Sequence, residues 1–365
     1  MHDSTYLVFQ DGSVHEGVSF GAEADGLGEV VFNTSMTGYQ EVLTDPSYAG
    51  QLVTLTYPLV GNYGINPEDF ESDRIQVGGL IVRENCELPS HGRSDLTLHE
   101  FLAGQGIPGI AEVDTRSITR QIRSQGVMLG IITNGDPDVA LRRLQDSPPY
   151  GHRDYVATVT TPDGYNWDGD NEDLIEAKHR ILVTDYGLKY NILRQLRRRG
   201  CRVTVVPAST PAEELLAMEP SGVLFSPGPG DPKLLEYVVD NTRKVLGQVP
   251  VMGICLGHQI IARALGADTF KLKFGHRGGN HPVKDLDDGR VYITAQNHGY
   301  AVSPDNLPSG LEVSHINLND QTVEGFRHKS LPLFTIQYHS EASPGPRDNE
   351  YLFDQFIDMV EDFHG

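Results

Sequence analysis

The chain has 365 residues, 38% of them hydrophobic, so it is long enough to form two domains with separate cores. Its formal net charge of −21 disfavours nucleic acid and anionic membrane surfaces as partners. The three cysteines are odd in number and far apart, which argues against a disulfide framework and fits a reducing compartment. Because the sequence shows neither a secretory signal nor a bilayer-length apolar run, we expect a soluble cytoplasmic protein.

Residues 1–147 are predicted to form a small β-rich α+β domain. Short alternating strands separated by glycine occur in "YLVFQDGSVHEGVSFG" and "GEVVFNT", and helical spacing appears in "LTLHEFLAGQG" and "DPDVALRRLQ". In "GIAEVDTRSITRQIRSQG" a strand leads into a helix with Ile118 and Ile122 on one face. Residues 148–178 are then predicted to be a linker, since they are rich in Pro, Gly and Asp, with a short strand at "YVATVT".

Residues 179–365 alternate between strands and helices. Strands at "RILVTDYG", "CRVTVVP", "GVLFSPGPG" and "VPVMGIC" are each followed by a helical pattern. This alternation predicts an open, mostly parallel sheet flanked by helices. The tail adds the strands "VYITAQNHG", "LEVSHINL", "TVEGFRH" and "LFTIQYH" and a closing helix over "NEYLFDQFIDMVEDF".

Cys255 stands between a predicted strand and a predicted helix, with Gly253 and Gly257 on either side. This pattern is the sulfur counterpart of the G-x-S-x-G nucleophile elbow, in which a tight turn exposes the nucleophile. A cysteine at a helix N-terminus is favoured as thiolate, and the N–H of Leu256 is available for an oxyanion. The alternative is a small buried cysteine that only packs.

A base and an orienting carboxylate occur together in "LFTIQYHSEASPGP". His339 and Glu341 are two apart in extended chain, so both side chains lie on one face at a strand end. His258 and His298 are rival bases. No CxxC or HExxH motif is present, so the sequence predicts no metal site.

The loop "SPGPGDP" at 226–232 follows a strand whose carboxyl end shares the sheet edge with Cys255. Gly228 and Gly230 allow close approach of backbone to a ligand, and the Gly228 N–H is a candidate second oxyanion donor. A plain turn explains this segment alone equally well.

Taken together, "GICLGHQ" at 253–259, "SPGPGDP" and H-x-E at 339–341 resemble the class I (triad) glutamine amidotransferase domain. The wider sequence is similar to the small-subunit family of carbamoyl-phosphate synthetases. The similarity rests on the following segments: "FNTSMTGYQEVLTDPSYAGQ" at 32–51, "YPLVGNYGIN" at 57–66, "DTRSITR" at 114–120, "KFGHRGGNHPV" at 273–283, "AQNHGYAV" at 295–302 and "EASPGPRD" at 341–348.

The resemblance implies a Cys255–His339–Glu341 triad that hydrolyses L-glutamine to glutamate and ammonia. It also implies the following glutamine-binding residues: Ser47, Gly228, Gly230, Leu256, Gln259, Asn297, Gly299 and Tyr300. The sequence departs from the family pattern at two positions, since Tyr300 replaces the usual phenylalanine and Ser340 the usual proline.

The resemblance further implies a heterodimer with a large subunit that receives ammonia through a channel and makes carbamoyl phosphate from bicarbonate, for arginine or pyrimidine synthesis. ATP binding and magnesium would belong to that partner, and this chain is expected to bind no cofactor. Two alternatives stay open: a stand-alone thiol hydrolase of γ-glutamyl hydrolase type, and an amidotransferase that serves another synthase.

Overall fold

The computed structural model describes residues 4–167, 177–305 and 307–365. The chain divides into two units, Met1–Arg153 and Asp154–Gly365. Residues 168–176 of the predicted 148–178 linker lie outside the described residues, and the linker boundaries stay a prediction. None of the helices in the described part of the chain has both the length and the apolar character that crossing a membrane requires.

The first unit contains strands, short helices and two 3₁₀ turns. The strands are β1 (Ser4–Phe9), β2 (Val14–Gly21), β3 (Gly26–Asn33), β4 (Gln51–Leu55), β5 (Leu59–Val60), β6 (Gly79–Ile81), β7 (Glu84–Asn85), β8 (Pro108–Ala111) and β9 (Met128–Thr133). The helices are α1 (Tyr39–Thr44), α2 (Leu98–Gly104), α3 (Thr115–Gln125) and α4 (Pro137–Asp146), with 3₁₀ turns at Pro46–Tyr48 and Tyr150–His152.

The main sheet of this unit closes on itself in the order β1-β2-β8-β6-β4-β3-β9. The β3–β4, β4–β6 and β6–β8 pairs are parallel and the other neighbouring pairs antiparallel. Local sequence sets the helix starts: Thr97 and Glu100 form a capping box at α2, and the carboxylates of Asp114 and Asp136 cap α3 and α4. The unit is therefore β-rich, as predicted.

The second unit contains the following elements. The strands are β10 (Tyr165–Trp167), β11 (His179–Asp185), β12 (Cys201–Pro207), β13 (Gly222–Phe225), β14 (Val251–Ile254), β15 (Thr269–Asp285), β16 (Val291–Val302), β17 (Leu311–Asn317), β18 (Val323–His328) and β19 (Leu333–Ile336). The helices are α5 (Val156–Val159), α6 (Tyr190–Arg198), α7 (Ala212–Ala217), α8 (Glu236–Val245), α9 (Leu256–Ala264) and α10 (Tyr351–His364), with a 3₁₀ turn at Pro232–Leu234.

These strands form one sheet in the order β10-β12-β11-β13-β14-β19-β18-β17-β15-β16. The run from β12 to β19 is parallel, and β10 and the strands from β18 to β16 extend it antiparallel. The predicted class, an open α/β sheet flanked by helices, is confirmed. The tail strands pair antiparallel because they connect without the crossover helices that parallel pairing needs.

Both faces of this sheet are covered. Leu182 and Val251 pack on the face with α7, α8 and α9, whereas Val183 and Met252 pack on the face with α6 and α10. This alternation follows from the two-residue period of a strand. The parallel strands are consequently buried on both sides and their carboxyl ends share one edge.

The strand expected at "YVATVT" is wrong, since Val156–Val159 is a single helical turn. The N–H of Ala157 donates to Asp154 Oδ1 at 3.1 Å, and Val156 is fully buried in the core. Capping by Asp154 and burial of Val156 thus outweigh the strand preference of the β-branched residues.

Candidate active site

The turn between β14 and α9 is occupied by Cys255, which has φ 52° and ψ −103°. A non-glycine residue in this region carries backbone strain of the order of 1–3 kcal/mol, which the surrounding structure must hold. The backbone N–H of Cys255 donates to the Ile336 carbonyl of β19 at 2.8 Å. The strained residue is thus anchored to the neighbouring strand and stands at the head of α9.

The glycines around this turn are required by close packing. A Cβ on Gly257 would lie 2.1 Å from the Phe225 carbonyl oxygen at the end of β13. One on Gly253 would lie 2.6 Å from Ile261 Cδ1, and one on Gly228 would lie 2.2 Å from the Tyr186 oxygen. The contacts of Gly257 and Gly228 are with backbone oxygens, so these two positions admit only glycine without a shift of the backbone, whereas a Cβ on Gly253 would first displace the Ile261 side chain.

His339 and Glu341 follow β19 at the same sheet edge. His339 Nδ1 and Glu341 Oε1 are 2.7 Å apart, and both side chains are buried. The N–H of His339 donates to the Ala295 carbonyl of β16 at 2.9 Å, which anchors the segment to the neighbouring hairpin. Because Nδ1 is held by the carboxylate, Nε2 is the ring nitrogen that remains available for proton transfer.

Charge partners shift the pKa values of both groups. Burial alone would lower the pKa of His339, but the Glu341 carboxylate and the Cys255 sulfur raise it to about 10. Burial would raise the pKa of Glu341, but the Lys189 ammonium and the His339 imidazolium lower it to about 2. At neutral pH the structure therefore favours an imidazolium paired with a carboxylate.

The Cys255 side chain is 2% exposed, and its Sγ lies 3.7 Å from the Asn297 carbonyl oxygen of β16. Interactions with the Cys255 sulfur contribute to the raised pKa of His339, as expected for two neighbouring groups. Nε2 of His339 makes no hydrogen bond to any described residue. The thiol and the imidazole are thus neighbours in a buried setting.

The rival histidines are engaged elsewhere. His258 is fully buried on α9, with Nδ1 2.7 Å from Thr335 Oγ1, and burial lowers its pKa to about 3. His298 has Nδ1 2.7 Å from the Tyr300 oxygen and Nε2 2.8 Å from Gln296 Oε1. His258 Nε2 also lacks a hydrogen-bond partner among the described residues, but its Nδ1 contacts a hydroxyl and not a carboxylate, and both nitrogens of His298 are engaged.

Some of the predicted glutamine-binding residues lie around Cys255. Leu256 begins α9, and its Cδ2 would be 2.8 Å from a Cβ on Gly228. Gln259, one turn into α9, donates from Nε2 to the Tyr300 oxygen at 2.8 Å and to Gln337 Oε1 at 2.9 Å. Both amide protons of Gln259 are therefore used by the protein, which leaves its carbonyl oxygen for any ligand.

The remaining predicted residues are placed as follows. Asn297 and Tyr300 are buried on β16, and Gly299 lies between them at intermediate exposure. Gly230 has φ 93° in the loop after β13. Ser47 belongs to the first unit, in the 3₁₀ turn Pro46–Tyr48, where its buried hydroxyl makes no hydrogen bond to any described residue.

Sequence reasoning missed Lys189 and Asn191, which follow β11 in "YGLKYN". Lys189 Nζ donates to Glu341 Oε1 at 3.0 Å and to the Ala342 oxygen, and Asn191 Nδ2 donates to the Glu341 oxygen. Both residues are buried. Their position in the sequence could have indicated them, because they follow β11, a parallel strand whose carboxyl end lies at the same sheet edge as Cys255.

Each of the two units contains a segment that matches a known protein family. The family model "Glutamine amidotransferase class-I" matches residues 182–359, and "Carbamoyl-phosphate synthase small chain, CPSase domain" matches residues 7–132. The chain is 50% identical over 365 residues to the carbamoyl phosphate synthase small chain of Syntrophotalea carbinolica, covering 97% of each chain.

Two further relatives agree. The small chain of Staphylococcus epidermidis is 52% identical, with 100% of this chain and 98% of that protein covered. The pyrimidine-specific small chain of Bacillus subtilis is 52% identical, with 97% and 96% covered. The chain therefore belongs to the carbamoyl phosphate synthase small chain family and is an enzyme of the class-I glutamine amidotransferase type.

Proposed function

We propose that this chain is the glutaminase subunit of a glutamine-hydrolysing carbamoyl-phosphate synthetase, with Cys255, His339 and Glu341 as its catalytic triad. The observation that carries the proposal is the buried His339–Glu341 pair, 2.7 Å apart, whose imidazole is also influenced by the Cys255 sulfur. A nucleophile, a base and an orienting carboxylate in this relation form the triad arrangement used for acyl transfer.

In the proposed reaction Cys255 attacks the δ-carbonyl of glutamine as a thiolate, and its proton already resides on the His339 imidazolium. The oxyanion accepts hydrogen bonds from the N–H groups of Leu256 and Gly228. Neither of these groups donates to an acceptor among the described residues, which supports that role. Collapse of the intermediate breaks the C–N bond, and the imidazolium protonates the departing ammonia.

Hydrolysis of the thioester completes the cycle. His339 removes a proton from water, the hydroxide attacks the thioester carbonyl, and glutamate leaves as Cys255 is regenerated. Glu341 holds Nδ1 of His339 throughout, so that Nε2 exchanges protons with sulfur, ammonia and water in turn. The assignment of Ser47, Gly230, Gln259, Asn297, Gly299 and Tyr300 to glutamine binding belongs to this proposal.

Ammonia must reach a second site without protonation by bulk water, because ammonium is not a nucleophile. We assign that site to a large-subunit partner, which would use ATP, magnesium and bicarbonate to make carbamoyl phosphate. The names of the relatives as small chains of carbamoyl phosphate synthase support such a partner. The formation of a heterodimer and the channel between its subunits are part of the proposal.

The test is Cys255→Ser in the complex reconstituted with the large subunit. Glutamine-dependent synthesis should fall by about 10⁴-fold or more, whereas ammonia-dependent synthesis is retained. The matched control is Cys86→Ser, since Cys86 is half-buried in the first unit. Loss of both activities would contradict the division of labour, and full glutaminase turnover by the isolated chain would favour a stand-alone thiol hydrolase.

A further inference from the structure

A second group of buried side chains lies on the antiparallel part of the sheet. His276 of β15 faces His298 of β16 as its direct cross-strand partner, and Glu324 comes from β18. One ligand atom from each of the three lies within 4.8 Å of the other two, and each residue is at most 6% exposed. We propose that these residues bind one divalent transition-metal ion, for which zinc is the fitting ion.

The His276 ring is oriented as a metal ligand. Its Nε2 lies 2.8 Å from Asp320 Oδ2, which keeps a proton on that nitrogen, and Nδ1 would supply the lone pair once a metal ion takes the place of its proton. Nδ1 is buried without a hydrogen bond to any described residue and is 3.6 Å from Glu324 Oε1. A carboxylate that fixes the outer nitrogen of a ligating histidine is a recurrent feature of metal sites.

His298 is oriented in the same way. Its Nδ1 donates to the Tyr300 carbonyl oxygen at 2.7 Å, so in the neutral ring Nε2 carries the lone pair. That lone pair faces another acceptor, Gln296 Oε1, at 2.8 Å. The Gln296 amide is held in this orientation because its Nε2 donates to Thr294 Oγ1 and Glu324 Oε2.

In the tautomer protonated at Nδ1, the lone pairs of His298 Nε2 and Gln296 Oε1 lie 2.8 Å apart and repel unless a proton or a metal ion lies between them. A metal ion bound to both His298 Nε2 and Gln296 Oε1 resolves this contact, because adjacent ligands on zinc are about 3 Å apart. Gln296 is thereby the fourth ligand. The site requires a modest contraction, since the widest separation of 4.8 Å has to close to about 3.3 Å for zinc bonds of about 2.0–2.1 Å.

The charges and the donor types favour this ion. Glu324 is fully buried and needs a cationic partner, which is either the His276 imidazolium at 3.6 Å or the bound ion, and its Oε1 is oriented by Asn317 Nδ2 at 3.0 Å. Two imidazole nitrogens and two oxygens suit zinc better than magnesium or calcium, which take mainly oxygen ligands. Asp320 is 40% exposed, so the cluster has an entry path from solvent.

The test begins with the full-length chain after removal of metals by a chelator. Zinc is added, unbound ion is removed by gel filtration, and bound zinc is measured by mass spectrometry; we expect one ion per chain. Cobalt(II) added to the same protein should give the intense visible absorption of a four- or five-coordinate site. A chain that retains no zinc, with cobalt showing only its hydrated spectrum, overturns the proposal in favour of an imidazolium at this cluster.

Variants locate the ion. Asp320→Asn should weaken zinc binding by about 10- to 100-fold, because it loosens the His276 ring without altering a ligand. Glu324→Gln should weaken it further. His152→Asn, an exposed histidine of the first unit, should leave binding unchanged. Equal zinc binding by wild type, Asp320→Asn and Glu324→Gln would mean an adventitious ion only. Since Asp320 is partly exposed, its substitution leaves the core intact.

Discussion

Lys189 Nζ lies 3.0 Å from Glu341 Oε1, and the two side chains are 2% and 0% exposed. Lys189 follows the parallel strand β11, and Glu341 follows β19. The carboxylate therefore carries two cationic neighbours, the ammonium of Lys189 and the imidazolium of His339. A carboxylate in this setting stays ionised and holds the imidazole in one orientation.

We expect Lys189→Met to lower the free energy of unfolding by about 3 kcal/mol, because it removes one of the two cations beside the buried Glu341 carboxylate and leaves only the His339 imidazolium. Urea denaturation of the full chain measures this change. The control is Lys233→Met, whose ammonium lies 2.9 Å from Asp268 with 47% of the lysine side chain exposed. Its effect should be about 1 kcal/mol or less, since exposed pairs contribute little. Equal effects of the two substitutions would contradict the structural role of Lys189.

Stability should depend on pH through His339. Its pKa is about 10 in the folded chain and about 6.5 in the unfolded chain. The resulting stabilisation is complete below pH 6.5 and is lost as the pH rises toward 10. The groups that face this ring are Glu341, Cys255 and, through Glu341, Lys189.

We expect the difference in unfolding free energy between wild type and His339→Asn to shrink continuously from pH 6.5 to pH 10. Urea denaturation at several pH values checks this. Cys86→Ser serves as a control for alkaline effects on a thiol outside the site. A difference that stays constant over this range would show that the imidazole is neutral in the folded chain.

Gly257→Ala should destabilise the chain by about 3 kcal/mol or more, because the added Cβ meets the Phe225 carbonyl oxygen at 2.1 Å and only backbone movement relieves the contact. The control is Gly104→Ala at the end of α2, where a Cβ meets nothing within 4 Å. That substitution should be neutral or stabilise by up to about 1 kcal/mol. Thermal unfolding of both variants measures the contrast, and a stable Gly257→Ala chain would contradict the tight turn.

Ser340→Ala tests the departure from the family pattern between the proposed catalytic residues His339 and Glu341. The Ser340 hydroxyl is fully buried and has no hydrogen-bond partner among the described residues, so its removal should be neutral or slightly stabilising. Ser226→Ala is the matched comparison, because its buried Oγ accepts from the Tyr186 N–H at 2.9 Å and donates to the Pro227 oxygen at 2.9 Å.

The Ser226 substitution should cost about 1–3 kcal/mol by leaving the Tyr186 N–H unpaired. Urea denaturation of the two alanine variants provides the measurement. A marked loss of stability in Ser340→Ala would indicate a partner for that hydroxyl that the structure does not include.

Local patterns in the sequence were sufficient for most elements of the second unit. The strand "CRVTVVP" coincides with Cys201–Pro207, and the helix in "KYNILRQLRRRG" with Tyr190–Arg198. Hydrophobic periodicity and the glycines that flank Cys255 are patterns among residues close together in the sequence, so the sequence alone is enough to identify them. The prediction of a strand at "YVATVT" was wrong because burial of Val156 and the hydrogen bond from Ala157 to Asp154 outweigh the strand propensity of these residues.

The sequence by itself determined the family, most strands and helices of the second unit in their order, and the residues proposed for the triad; it did not reveal the strands β10 and β15. Only the tertiary structure decided that the first sheet closes on itself, that Lys189 reaches Glu341, and that His276, His298 and Glu324 converge from three strands. The physical reason is that strand pairing and buried charge partners depend on which distant segments become neighbours. No local periodicity records that information.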